Sequence, residues 1–302
     1  MRSISTFPAA ALILISGILS ASHAQAQVAG SGDQVAVGAQ YDTTHVYVAP
    51  AEVDSFVKAF LGTFGGKSTP QVVVTVTPTP SKTSSQLLQT PVGTVSLFGF
   101  RTPVPVPFGY ERTGYLITDM TSAVAKAKAA GADIIVTPFP DPIGVDAVVQ
   151  WPGGINMQLY WHTKAPDYAA FTHVPENRIY VSGDRIEALQ YAFIKFSGGK
   201  VISDDTVPGA EIAKQEPVRR IKIESTFGKM TIFATDGHLT YPYGAETTGY
   251  EVDDLAGTLA KAQSLGVTVI VPAASFGERK SAMVRFPGGY VAEIHQMTTA
   301  AK

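Results

Sequence analysis

The chain has no cysteine among its 302 residues, which excludes disulfides, thiolate metal sites and cysteine nucleophiles. It carries little charge: 16% of its residues are charged, the net is −2, and no basic tract occurs, so nucleic acid is not an expected partner. Nor does it contain an apolar run long enough to span a bilayer, for which about 20 residues are needed. The Phe7–Leu19 run offers only about 13. Phosphate-binding loops, dinucleotide fingerprints and Ser/His/Asp arrangements are absent as well.

What is present is a hydrophobic, turn-rich composition, 45% apolar with 28 glycines, on a chain long enough for two sizeable cores. Residues 1–26 read as a secretory signal peptide. Arg2 supplies the positive start, Phe7–Leu19 the apolar region, and Ala24-Gln25-Ala26 the small residues of a cleavage site after Ala26 or Ala24. The expected address is therefore secreted or periplasmic, with residues 27–42 as a flexible leader and no stable membrane span. Absence of cysteine is compatible with that address.

The rest of the chain is written twice. Thr113-Gly114-Tyr115 recurs as Thr248-Gly249-Tyr250, Ala125-Lys126-Ala127 as Ala260-Lys261-Ala262, and Pro152-Gly153-Gly154 as Pro287-Gly288-Gly289, always at an offset of 135. An earlier block, 45–67, matches 178–200 at an offset of 133 and ends each time in Gly-Gly-Lys. A period this long implies two tandem domains rather than a solenoid. Their expected limits are 43–163 and 177–298, with 164–176 as linker.

Within each domain the pattern reads βαβββ twice. His45–Val48 is a strand, and Ala51–Gly62 a helix with Val53, Phe56, Val57 and Phe60 on one face. Val72–Thr77 is a strand stopped by Pro78 and Pro80, and Gln86–Gln89 with Thr94–Phe100 form a hairpin. A proline-rich loop, Thr102–Gly109, follows, either a stiff connection or a lid. The second unit has a strand at Tyr115–Ile117, a helix capped by Asp119 or Thr121 and ended by Gly131, and strands at Ile134–Thr137, Asp146–Trp151 and Ile155–His162.

Four βαβββ units paired into two domains resemble the vicinal oxygen chelate superfamily, which includes glyoxalase I, extradiol dioxygenases and bleomycin resistance proteins. Gly114–Gln158 and Gly249–Glu293 carry the resemblance most specifically, through their strand, Asp-capped helix, glycine helix end and Pro-Gly-Gly turn. It implies an α+β fold, a tandem duplication of a two-module domain, with each sheet curled into a cup. It also implies a divalent metal held by histidines on the first and fifth strands and a glutamate on the eighth. Those positions become His45, Arg112 and Gln158 in the first domain, and Arg178, Thr247 and Glu293 in the second. A slip of one residue on the fifth strand gives Thr113 and Thr248. Glutamine serves as a neutral ligand in some members, but arginine has no lone pair to offer.

Two expectations follow. Arg178 stands in for the cation and neutralises Glu293, and His45, Arg112 and Gln158 form a donor-rich cluster suited to an anionic or carbonyl-bearing ligand. In members that pair the first unit with the fourth, His45, Glu293 and His295 would instead make a metal site. His162, His173 and His238 read as surface residues, Tyr47 and Tyr180 as core or cup aromatics, and Trp151 and Trp161 as core or rim. Three readings remain open: a small-molecule binder, for an anionic or aromatic ligand, with no metal; a dioxygenase or glyoxalase-like lyase using Fe, Mn, Zn or Ni on non-standard ligands; and a structural protein with filled cups. A homodimer is compatible with each.

Overall fold

A computed structural model describes residues 34–164, 166–236, 239 and 241–298. The expected signal peptide lies outside the described residues, and so does His238. The first half runs β1 (Thr43–Tyr47), α1 (Val53–Phe64), β2 (Lys67–Ser68), β3 (Val72–Val74), β4 (Thr83–Thr90), β5 (Gly93–Phe100), β6 (Thr113–Leu116), α2 (Met120–Ala130), β7 (Asp133–Asp141), β8 (Gly144–Trp151) and β9 (Ile155–His162). The second half repeats it: β10 (Glu176–Ser182), α3 (Ile186–Ser197), β11 (Lys200–Val207), β12 (Val218–Ser225), β13 (Gly228–Thr235), β14 (Glu246–Glu251), α4 (Leu255–Ser264), β15 (Thr268–Phe276), β16 (Arg279–Arg285) and β17 (Val291–Met297).

Each half closes into one mixed sheet. The first has the order β2-β4-β5-β1-β6-β9-β8-β7, with β3 on β4, and the second the order β11-β12-β13-β10-β14-β17-β16-β15. The first unit therefore pairs with the second through β1 and β6, and the third with the fourth through β10 and β14. Local chemistry sets the element ends. Asp119 accepts a bond from Ser122 N at 2.7 Å and Asp254 one from Gly257 N at 3.0 Å, capping α2 and α4, while Gly131 ends α2 in the left-handed region. The strand expected over Val72–Thr77 stops at Val74, because Thr75 and Thr77 turn to hydrogen-bond Ser81.

Side chains alternate along every central strand. In β9, Ile155, Met157 and Leu159 enter the core, while Asn156, Gln158 and Tyr160 face the other way. The cores cross between the halves. Helix α1 and its strands pack with α4 and β17, and α2 and its strands pack with α3 and β13. The repeated Pro-Gly-Gly turn belongs to this contact: a Cβ on Gly288 would stand 2.5 Å from Val48 Cγ1, and one on Gly153 2.9 Å from Val181 Cγ1. Only glycine lets these turns approach the other half so closely. Residues 34–42, expected to be flexible leader, are instead tied down. Val35 and Ala36 are buried, Ala36 bridges Ile117, and Asp42 accepts from Leu116 N.

Phe60 of α1 is fully buried and meets Tyr250 and Phe286 of the other half at ring-centroid distances of 5.6 and 5.3 Å. Phe60→Ala is expected to lower stability by ~3–5 kcal/mol. Because the cavity opens in a core common to both halves, urea unfolding followed by near-UV and far-UV circular dichroism should stay a single, coincident transition. Two separated transitions would contradict the shared core.

Candidate functional site

The strand faces turned away from the helices form two cups. Register makes them comparable position by position. His45 lies opposite Ser96 as Arg178 lies opposite Thr231, Ser85 opposite Phe98 as Arg220 opposite Phe233, and Gly144 opposite His162 as Arg279 opposite Met297. At the three places where the second cup carries arginine, the first carries histidine, serine and glycine.

The centre of the second cup is filled by charge. Arg178, only 1% exposed, donates through Nη2 to Glu211 Oε1 at 2.8 Å and through Nη1 to Glu176 Oε2 at 3.4 Å, and lies 4.9 Å from the Phe233 ring centroid. Arg279 Nη1 donates to Glu176 Oε2 at 2.7 Å and to Glu293 Oε1 at 3.3 Å, and Arg220 reaches Glu211 at 3.2 Å. His295 Nδ1 lies 2.6 Å from Glu293 Oε2, and Thr231 donates to Glu176. Tyr180 links Arg178 to Thr247. Burial alone would raise the Glu176 and Glu293 carboxyls. For Glu176 the charges of Arg279 and Arg178 overcome it, and for Glu293 those of Arg178 and His295, so both stay below the usual carboxylate range. A cavity of about 300 Å³ remains beside the network, toward Lys222 and Met297.

Arg178 and Glu293 thus share one cluster, but the guanidinium in direct contact with Glu293 is that of Arg279, which the sequence reading did not single out. Glu176, Glu211 and Arg220 were missed too. Glu211 comes from a short helical turn, Gly209–Ile212, dipping into the cup from a loop, and no pattern marks it.

The first cup is open. A cavity of about 520 Å³ is lined by His45, Tyr47, Phe98, Asp146, Gln158 and Tyr160, among others. Gln158 Nε2 donates to Asp146 Oδ2 at 2.7 Å. His45, 2% exposed, has its Nδ1 3.8 Å from Oε1 of the fully buried Glu111, which also accepts from the Tyr47 hydroxyl. Among the described residues, His45 Nδ1 has no hydrogen-bond partner. Burial, aided by nearby Asp141, pushes the Asp146 carboxyl well up. Phe108, from the proline-rich loop, is buried in the cavity wall against Phe139, while Val104 and Val106 of the same loop are exposed.

Arg112 is not in this cup. It lines a separate cleft of about 420 Å³ with Tyr110, Asn156, Glu246 and Tyr290. The fifth-strand position facing each cup is held by glycine. Gly114 lies beside Thr43 and Gln158, and Gly249 beside Glu176 and Glu293. A Cβ on Gly114 would stand 2.5 Å from His45 Nε2, and one on Gly249 2.8 Å from Glu293 Oε2. The repeated Thr-Gly-Tyr was the available signal, since glycine inside a strand marks a close approach. His45 belongs to the first sheet, with Glu111, while Glu293 and His295 belong to the second, so the swapped grouping of the three does not form. Of the other histidines, His162 lines the first cup and His173 contacts Glu251 and Asp253. Trp151 is core and Trp161 is partly exposed.

No family profile and no curated protein sequence matches the chain. Solved structures do. A triple mutant of 4-hydroxymandelate synthase from Streptomyces coelicolor superposes with a TM-score of 0.58 at 16% identity, over 89% of this chain and 94% of that one. The 2,3-dioxygenase LapB from Pseudomonas sp. KL28 gives 0.50 at 12%, over 88% and 92%. A xylose isomerase-like TIM barrel/4-hydroxyphenylpyruvate dioxygenase fusion protein gives 0.52 at 12%, over 90% of this chain but only 51% of that one. The chain has the fold of these structures, a tandem of two glyoxalase/dioxygenase-like domains. No helix among the described residues is long and apolar enough to cross a membrane.

Two measurements check this electrostatic picture. Arg279→Met leaves Glu176 and Glu293 without their nearest guanidinium and should cost about 3–5 kcal/mol of stability in urea, as for other broken buried pairs; a loss under about 1 kcal/mol, the scale of a surface pair, would mean the network is solvated. Glu246, half-buried and accepting from Thr113 at 2.6 Å, is pushed up by burial to about 7. Its folded value lies above the 4.5 of a free glutamate, so its stabilising contribution is complete below 4.5 and is lost as pH rises through about 7. Glu246→Gln should therefore gain on the parent protein between about pH 5 and about pH 8. An unchanged difference between the two proteins over that range would refute the assignment.

Proposed function

We propose that this vicinal oxygen chelate-fold chain is an exported small-molecule-binding protein that holds its ligand in the first cup, with the metal positions of its fold degenerate in both. The observation that carries the reading is the contrast between the cups: an open cavity of about 520 Å³ in one, and buried ion pairs across the centre of the other. That volume falls in the range of small-molecule sites, about 300–1,000 Å³. Export rests on the charge, apolar-run and cleavage pattern of residues 1–26.

The donor sets do not fit a divalent ion. In the first cup the three positions offer one imidazole, from His45, one carboxamide, from Gln158, and no side chain at Gly114. Gln158 is already engaged with Asp146. A stable site needs three or more protein ligands. In the second cup they offer the guanidinium of Arg178, no side chain at Gly249, and the carboxylate of Glu293.

A metal-dependent enzyme is the second reading, and one observation favours it: ligand atoms of Glu176, Glu293 and His295 all lie within 4.8 Å of one another. Arg279 Nη1 already bridges both carboxylates, however, so an ion there would have to displace a cation from a buried, neutralised cluster.

Elemental analysis of the purified protein should find Fe, Mn, Zn and Ni all substoichiometric. Ligand-observed NMR against a library of small aromatic compounds should find binders whose signals are lost in Ser85→Arg, which rebuilds in the first cup the side chain that crowds the second. Stoichiometric metal, or binders indifferent to Ser85→Arg, would overturn the proposal.

A further inference from the structure

The first cup has a second property beyond being open. Among the described residues, no lysine or arginine lines it. Every one of the three arginines that balance the carboxylates of the second cup is replaced here, by His45, Ser85 and Gly144. Two of the second cup's acids are replaced as well, Glu176 by Thr43 and Glu293 by Gln158, but acids of its own stand in the first cup. Asp141 and Asp146 line the cavity, and Glu111 lies immediately behind Tyr47 and His45. Arg112, the nearest sequence candidate for a balancing charge, lines the neighbouring cleft.

Five further lining residues are aromatic, Tyr47, Phe98, Phe108, Tyr160 and Tyr168, beside aliphatic and neutral polar side chains such as Val72, Leu87 and Gln86. Tyr47 and Phe98 pack at 5.1 Å, and the Phe98 and His45 rings meet at 5.4 Å in a T-shaped pair. Acidic groups at the floor and aromatic rings on the walls are the two environments that attract a cation of low hydration, one through charge and the other through the negative ring face. The same combination repels a carboxylate. The anionic ligand expected from a His45, Arg112 and Gln158 cluster therefore loses its basis once Arg112 stands outside the cup.

Taking the first cup as the binding site proposed above, we infer that its ligand is an organic cation, an amine or quaternary ammonium carried on an apolar or aromatic body. The charged head sits toward Asp146 and Asp141, and the body lies against Phe98 and Phe108.

Binding should be coupled to a proton. Asp146, on β8, is faced by Asp141 from β7, by Tyr160 and His162 with Gln158 from β9, and by His45 from β1, with Glu111 behind it. Burial first, and the charge of Asp141 second, hold Asp146 protonated to higher pH than an exposed carboxyl, and none of the facing groups is a fixed positive charge to oppose them. An arriving cation favours the ionised form and releases that proton, and its affinity therefore rises with pH.

Isothermal titration with benzyltrimethylammonium, benzyl alcohol and benzoate tests the inference on the parent protein and on Asp146→Asn, Asp141→Asn and Ser85→Arg. The cation should bind at least about tenfold more tightly than the isosteric alcohol, with benzoate weakest. Its affinity should fall with added salt and its heat should depend on the ionisation enthalpy of the buffer. Asp146→Asn should erase the preference for the cation while benzyl alcohol still binds. Asp141→Asn, at a half-buried position where folding is less at risk, should reduce it. If benzyl alcohol or benzoate binds as tightly as the cation, and Ser85→Arg abolishes that binding, the cation class is wrong while the cup remains the site. If none of the three probes shows binding that responds to Ser85→Arg, the site itself is wrong.

Discussion

The structure depends on a hydrophobic layer that neither half could build alone. Helix α1 lies against α4 and α2 against α3, so the apolar faces of both sheets are satisfied by helices of both halves. Phe56, Phe60 and Phe64 interleave with Tyr250, Phe286 and Tyr290 in one of these contacts, and Tyr115 stacks on Phe227 at 4.3 Å in the other. With that face of each sheet committed, period-two alternation sends every other side chain to the opposite face. The cups are thus a consequence of the core, and their contents are free to differ.

They differ because a curled sheet presents the same problem twice and each half solves it in its own way. A buried carboxylate is tolerated only when paired and hydrogen-bonded. In the second cup Glu176, Glu211 and Glu293 meet Arg178, Arg220 and Arg279, so that three negative charges face three positive ones. Replacing such a network with apolar side chains is often neutral or stabilising, whereas removing one member is not. Once formed it is therefore hard to dismantle one residue at a time, and it fills the centre of the cup, leaving the cavity of about 300 Å³ to one side.

Much of this architecture could be read from the sequence, for identifiable reasons. Helix limits follow from Asp119, Asp254 and Gly131, whose effects are local. The halves follow from the repeat, and the cup-facing positions of His45, Arg178, Gln158 and Glu293 follow from alternation along single strands. What could not be read depends on pairing between strands. Arg279 is one of several charges on β16, and only its register opposite Met297 places it over Glu293. Arg112 precedes β6 by one residue and turns into a cleft, though on paper it occupies a strand position. Gly114 and Gly249 were in view throughout as the middle of a repeated tripeptide; a residue without a side chain simply does not suggest a ligand position.

Substitution at aligned positions accounts for the divergence of the two cups: His45, Ser85 and Gly144 stand where the second has arginine, and Thr43 and Gln158 where it has Glu176 and Glu293. Arginine is among the largest side chains, and His45, Ser85 and Gly144 together leave much of that volume vacant. At Gly144 the vacancy is enforced, since a Cβ there would stand 1.8 Å from the Trp161 carbonyl oxygen. Asp146 and Asp141 are particular to the first cup, since Ser281 and Phe276 stand at the matching positions of the second. Space and acidic groups without an arginine among them are therefore found together in this cup. A cavity produced in this way is complementary to something that is both bulky and positive.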